Sequence, residues 1–186
     1  MELMPYLLAQ VKLTVEEYEL IDKAFAKKNY PKGKILEQPN NRSKQVHFIE
    51  KGLLRAFYCK DDKDITHTFF DEDNFILAFE SVFFGRPHPY GLEILEDTTI
   101  RTIPYSQLDV LCNTIPAFKD YRLIVSLKII SMLAQKVYSL QFQSAKERYN
   151  TLLETTPRIL LRASLGHIAS YLGITQQTLS VIRAGK

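Results

Sequence analysis

From Ala117 to Tyr149 the chain runs for 33 residues without a proline or a glycine. A stretch of that length, free of both helix breakers, reads as one long helix. Leu123, Leu127, Ile130, Ala134, Val137, Gln141 and Ser144 recur at alternating intervals of four and three, a heptad seam. Val125, Ile129, Met132 and Leu133 add apolar surface off that seam. A helix with two apolar faces can turn one toward its own chain, but in a monomer the other stays wet. The spacing therefore predicts a two-fold dimer, with Leu123, Leu127, Ile130, Ala134, Val137 and Gln141 at the contact. The alternative is a helix wholly buried in one subunit. A hinge is expected around Ser144-Ala145-Lys146.

The last 22 residues, Leu165 to Lys186, hold two short helical patterns separated by a glycine. Ile168, Ala169 and Leu172 share one helix face. Gly173 follows, where a helix stops most readily in a left-handed residue. Thr175 offers an N-cap for a second helix, whose Leu179 and Ile182 face inward. Gln176, Gln177, Ser180, Val181 and Arg183 are left outward. Helix, glycine turn, then a helix exposing amides, hydroxyls and an arginine is the layout of a DNA-binding helix-turn-helix. Charge placement agrees: residues 146–186 carry six basic and two acidic side chains, leaving 18 basic and 19 acidic in the first 145. A near-neutral body with a basic end suits a phosphate-contacting module.

Between the first residues and the long helix the pattern changes twice. Thr14 to Lys28 reads as an amphipathic helix, opened by a Thr14/Glu17 capping box and faced by Val15, Tyr18, Ile21 and Phe25. Short strand patterns follow at 34–37, 45–49, 53–59, 65–70, 92–96 and 99–103. Hairpins are expected across Glu50-Lys51-Gly52 and Glu96-Asp97-Thr98, with Asp61-Asp62-Lys63-Asp64 as a further turn. Strands at this spacing predict an antiparallel sandwich or barrel from about residue 30 to 104. A short helix begins at Pro104-Tyr105 and breaks at Asn113 to Pro116. No apolar run approaches a membrane span, no basic leader precedes the chain, and Cys59 and Cys112 stand far apart; these features fit a reduced cytoplasmic protein without a membrane partner. The glycine, serine and histidine motifs of common enzymes are missing, so no catalytic activity is expected.

A capping helix, a strand barrel, a long dimer helix and a terminal helix-turn-helix, in that order, resemble the catabolite-activator (Crp/Fnr) family of bacterial transcription regulators. The words that carry the resemblance are Glu147-Arg148-Tyr149, Leu152-Leu153-Glu154 with Pro157, Ile168 to Thr175, and Thr178-Leu179-Ser180. They look like the Bacteroidetes-type branch. The resemblance implies an α+β fold: a jelly-roll (double-stranded β-helix) barrel like a cyclic nucleotide-binding domain, then a dimer helix, then a winged helix-turn-helix. The corresponding domains are 1–116, 117–149 and 150–186. It also implies double-stranded DNA, a second copy of the chain and RNA polymerase as partners, with a small-molecule effector in the barrel. DNA contacts are expected from Arg162, Thr175, Gln176, Gln177, Thr178, Ser180, Val181, Arg183 and Lys186. Relatives of this branch usually place an arginine where Val181 stands, and glutamine reads adenine; a site richer in A·T follows. A ligand-binding or scaffolding barrel with a degenerate helix-turn-helix is the rival reading.

The family's cyclic-nucleotide site needs a Gly-Glu pair and an Arg-Ser/Thr-Ala run. The matching positions hold Leu77-Ala78 and His88-Pro89-Tyr90, and a histidine does not replace a guanidinium. Cyclic AMP is therefore not the expected ligand. Phe79, Glu80, Phe83, Arg86, His88 and Tyr90 are the candidate effector residues. The aromatics there, with Phe75 and Phe84, are either plain core or the lining of a pocket. Neither an iron–sulfur cluster nor haem is expected: the cysteines form no cluster, and His47, His67 and His88 stand singly.

Overall fold

The computed structural model describes residues 1–61 and 63–185. Asp62 of the expected acidic turn and Lys186 of the expected DNA-contact set lie outside the described residues. The N-terminal part opens with α1 (Leu3–Leu8) and α2 (Val15–Ala24). The Thr14 hydroxyl accepts from the Glu17 amide and the Glu17 carboxylate accepts from the Thr14 amide, a complete capping box. Of the expected apolar face, Ile21 and Phe25 are buried whereas Val15 is exposed. The helix also ends early, and Ala26–Tyr30 forms strand β1 instead.

Seven more strands follow: β2 (Ile35–Glu37), β3 (Gln45–Lys51), β4 (Leu54–Lys60), β5 (Lys63–Phe70), β6 (Phe75–Leu77), β7 (Gly91–Ile94) and β8 (Thr98–Pro104). They make two antiparallel four-stranded sheets, β1-β8-β3-β6 and β2-β7-β4-β5, stacked as a sandwich. Both expected hairpins are wrong. β3 and β4 lie in different sheets, as do β7 and β8, so each short connection is a corner between sheets. Gly52 turns the first corner at φ 114°, where a Cβ would lie 2.1 Å from the Thr98 hydroxyl oxygen. The true hairpin is β4–β5, closed at Asp61 with φ 50°.

Alternation along β3 sorts the core. Val46 and Phe48 face α1, α2, α4 (Tyr105–Thr114) and the start of α5 (Pro116–Phe142). His47 and Ile49 face the other sheet, where Ile49, Leu54, Ile76, Leu92, Ile94 and Ile100 pack together. Arg101 on β8 holds the helical layer down, donating to the carbonyls of Asp22 and Phe25 and to the carboxylates of Asp22 and Glu50. A cation at the C-terminal end of α2 also complements the helix dipole. α3 (Phe79–Phe83) lies between β6 and β7.

Only the first turns of α5 are buried, through Phe118 and Tyr121. Leu123, Leu127, Ile130, Ala134, Val137 and Gln141 are all exposed, the first three apolar residues at 61%, 57% and 61%. Contrary to the sequence reading, α5 is long and apolar enough to cross a membrane by length and composition, with a mean hydropathy of 1.4 over its most apolar window. It is not one helix to Tyr149. Gln143 takes extended backbone, Ser144 caps the next helix, and α6 (Ala145–Thr155) departs in a new direction. Beyond β8 the described residues hold helices only, and a single turn, α7 (Ile159–Arg162), precedes the helix-turn-helix. The chain ends in α8 (Leu165–Leu172) and α9 (Gln176–Ala184).

Candidate nucleic-acid interface

Three caps set the geometry of α8 and α9. The Ser164 hydroxyl accepts from the His167 amide and starts α8. Gly173, at φ 68° and ψ 35°, ends it, and the Ile174 amide reaches back to the Ala169 carbonyl. The Thr175 hydroxyl then accepts from the Thr178 amide and starts α9. Ile168, Ala169, Leu172 and Leu179 close with Tyr149 and Leu152 of α6 into a small core of their own. Arg148 locks this unit to the hinge, its guanidinium donating to the Leu172 carbonyl at 2.9 Å and to Gln143 at 2.6 Å.

Burying Leu179 turns the other face of α9 outward. Gln176, Gln177, Thr178, Ser180, Val181 and Arg183 are all exposed, Val181 at 71%. Thr175 is exposed too, although its hydroxyl is engaged in the cap. Gly166 gives Gln176 room: a Cβ there would lie 2.9 Å from the Gln176 Nε2. That amide, Ser164, His167, Ser170 and Asp64 of β5 line a cavity of about 560 Å³ between the helix pair and the barrel.

The helix pair sits on the barrel by its first helix, not its second. The Ser170 hydroxyl accepts from the Thr66 amide of β5 at 2.9 Å, and the Tyr171 ring packs on Phe69 at 5.3 Å. Leu53, Phe69, Leu95 and Ile159 are buried together at this junction. Lys136 of α5 donates to the Tyr171 carbonyl at 2.7 Å, with its ammonium 3.4 Å from the centre of that ring. Burial, aided by the nearby Arg148 charge, pulls its pKa down to about 8.

Arg162 is not a free phosphate ligand. Its guanidinium makes four hydrogen bonds, two to the Glu72 carboxylate at 2.8 and 3.0 Å and two to Glu96 at 2.7 and 3.2 Å. Against the upward push of burial, Arg162 and the Gly52 amide draw the Glu72 pKa down to about 2. No local pattern signals this pairing, because the partners lie 66 and 90 residues away. Arg55 was also missed. It is buried on β4, bonded to Asp64, Glu93 and Thr66, and lies over the Phe57 ring at 4.9 Å.

The six candidate effector residues divide. Phe79, Phe83 and Arg86 are on the surface, the two rings 6.2 Å apart, and Phe84 is exposed beside them. They do not line an enclosed pocket. Glu80, His88 and Tyr90 turn inward. Phe75 belongs to the helical core, 4.8 Å from Phe48. Cys59 is exposed and Cys112 buried.

Comparison with known proteins gives the same architecture. The cyclic nucleotide-binding domain profile matches residues 27–114. The fumarate and nitrate reduction regulatory protein of Escherichia coli K12 is 23% identical, over 91% of this chain and 73% of that protein. Its Vibrio cholerae counterpart is 24% identical over the same shares. Among solved structures, a variant of CooA from Carboxydothermus hydrogenoformans superposes with a TM-score of 0.75 at 23% identity, covering 95% of this chain and 86% of that one. FixK2 from Bradyrhizobium japonicum gives 0.74 at 19% identity, covering 87% and 83%.

Proposed function

We propose that this chain is a DNA-binding transcription regulator of the Crp/Fnr family, acting as a homodimer paired along α5, with its two α9 helices entering successive major grooves. The observation that carries this reading is the outer face of α9, capped at Thr175, anchored by buried Leu179 and exposed at every residue that could touch a base. Two such helices read half-sites about 34 Å apart. Gln176 and Gln177 supply the amide pairs that match adenine, and Val181 supplies an apolar contact suited to a thymine methyl. Among the described residues of the expected set, Arg183 is the cation left to contact phosphate once Arg162 is committed to the barrel.

The dimer is supported by the exposed seam of α5, which pairing would remove from water. The working units are residues 1–116, 117–149 and 150–186, with the hinge at Gln143-Ser144. The barrel is the input and RNA polymerase the downstream partner, in the cytoplasm. An effector that shifts the barrel acts on the helix pair through Thr66, Glu72, Glu96 and Lys136. The cyclic-nucleotide motifs have no counterpart at Leu77-Ala78 or His88-Pro89-Tyr90, which favours an effector other than cyclic AMP.

Selection from random duplexes tests this reading. A·T-rich half-sites one helical turn apart are expected. Replacing both glutamines, Gln176→Ala and Gln177→Ala, then costs about 1–3 kcal/mol of discrimination for each lost bidentate contact. Recovery of G·C-rich sites alone, or an unchanged preference in the double variant, contradicts the assignment. A dimeric chain that selects no sequence would be the scaffolding barrel instead.

A further inference from the structure

On α3, in the loop before β7 and on β4 lie polar side chains that DNA binding does not use. His88 is fully buried. Its Nδ1–H donates to the Tyr90 carbonyl at 2.7 Å, so in the neutral ring Nε2 carries the lone pair. That Nε2 is buried with no partner. The Glu80 carboxylate from α3 has Oε2 in the same condition. The Tyr90 ring lies 4.9 Å from the His88 ring and 6.2 Å from the Tyr58 ring. Burial and the field of Glu80 both push the Tyr58 and Tyr90 hydroxyls up, and Glu37 adds to the effect at Tyr90.

Every one of these features has the same polarity. The groups meet around the Tyr90 ring: the His88 and Tyr58 rings lie against it, and the Glu80 carboxylate is near enough to raise both tyrosine hydroxyls. A phosphate would meet lone pairs and negative charge. A neutral hydroxyl would satisfy an acceptor but leave the carboxylate's charge uncompensated. Arg86, the nearest cation in sequence, is exposed at the surface. We propose that this spot binds a small organic ammonium ion, its N–H groups donating to Glu80 Oε2 and His88 Nε2 and its charge lying against Tyr58 and Tyr90. The polarity of the barrel is thus the reverse of a phosphate-binding one. The inference rests on the barrel being the effector module, and binding is measured without DNA so that the two readings fail separately.

The test is calorimetric titration of the full chain with phenethylammonium and n-butylammonium, with phenethyl alcohol and cyclic AMP as the uncharged and anionic comparisons. At least one ammonium probe is expected to bind with a dissociation constant at or below about 1 mM. Its affinity should fall about tenfold or more in Glu80→Gln, the loss of one charge-assisted hydrogen bond. In ¹⁵N-histidine spectra of the unaltered chain, the same probe should move the His88 Nε2 resonance, a readout that does not depend on any variant folding. Binding of cyclic AMP in place of both ammonium probes overturns the proposal. So does an unmoved His88 resonance at saturating probe, or phenethyl alcohol binding as tightly as phenethylammonium.

Discussion

Arg162 joins sequence positions that no local pattern connects. Its two bidentate pairs are partly exposed, between the weak surface case and the strong buried one. Arg162→Ala is expected to lower unfolding stability by about 1–3 kcal/mol, read from the urea midpoint. It leaves Glu72 beside Glu96 without their shared cation, so the Glu72 pKa should climb from about 2 toward the ordinary 4.5. A carboxylate with a depressed folded pKa stabilises above its unfolded value and loses that contribution as pH falls. The gap between wild type and Arg162→Ala should therefore close as pH drops from 4.5 toward 2. An unchanged gap rules out the ion pair as its cause. Lys136 has the opposite sign. Burial depresses its pKa to about 8, so its charged form costs stability below that pH and the cost is relieved as pH rises from 8 toward 10.5. Lys136→Met should compare more favourably with wild type at pH 7 than at pH 10.5 in thermal melts; equal differences at both would contradict the assignment.

Elements differ in how openly the chain announces them. The caps at Thr14, Ser144 and Thr175 use short hydroxyl side chains at fixed offsets, and such local chemistry is legible. Six of the eight strands were visible as alternating patterns. Their partners were not, because a three-residue connection looks alike whether it closes a hairpin or turns a corner between sheets. What separates the two at Gly52 is the Thr98 hydroxyl packed where a Cβ would be, a contact 46 residues away in sequence. β1 reads from sequence as the end of a helix, since Ala26-Lys27-Lys28 has helical propensity and only pairing with β8 overrides it. The site was legible where the face of α9 follows from periodicity, and illegible where α8 docks. On α5 the seam was plain, and its consequence belongs to this scale. Leu127→Glu with Ile130→Glu places like charges on both sides of a dimer contact. Sedimentation equilibrium should shift from dimer toward monomer with the helical signal retained. A dimer mass that survives both charges means the chains pair elsewhere.

At the scale of the whole molecule, the barrel grips α8 and leaves α9 free. Thr66, Phe69 and the Arg162 pairs hold the helix pair by the face away from the bases, while Lys136 and Arg148 fix it to the two sides of the hinge. A change inside the sandwich thus reaches the recognition helix through packed contacts rather than through a loose linker. The most direct test is the salt dependence of DNA binding, by fluorescence anisotropy on labelled duplexes carrying the selected site. With at least the two Arg183 side chains of a dimer on phosphates, log affinity should fall against log salt with a slope of about −2 or steeper, and the Leu127→Glu/Ile130→Glu chain should lose most of that affinity. A dimeric wild-type chain that binds the duplex no better than a scrambled one at low salt, or with a slope near zero, would contradict the account.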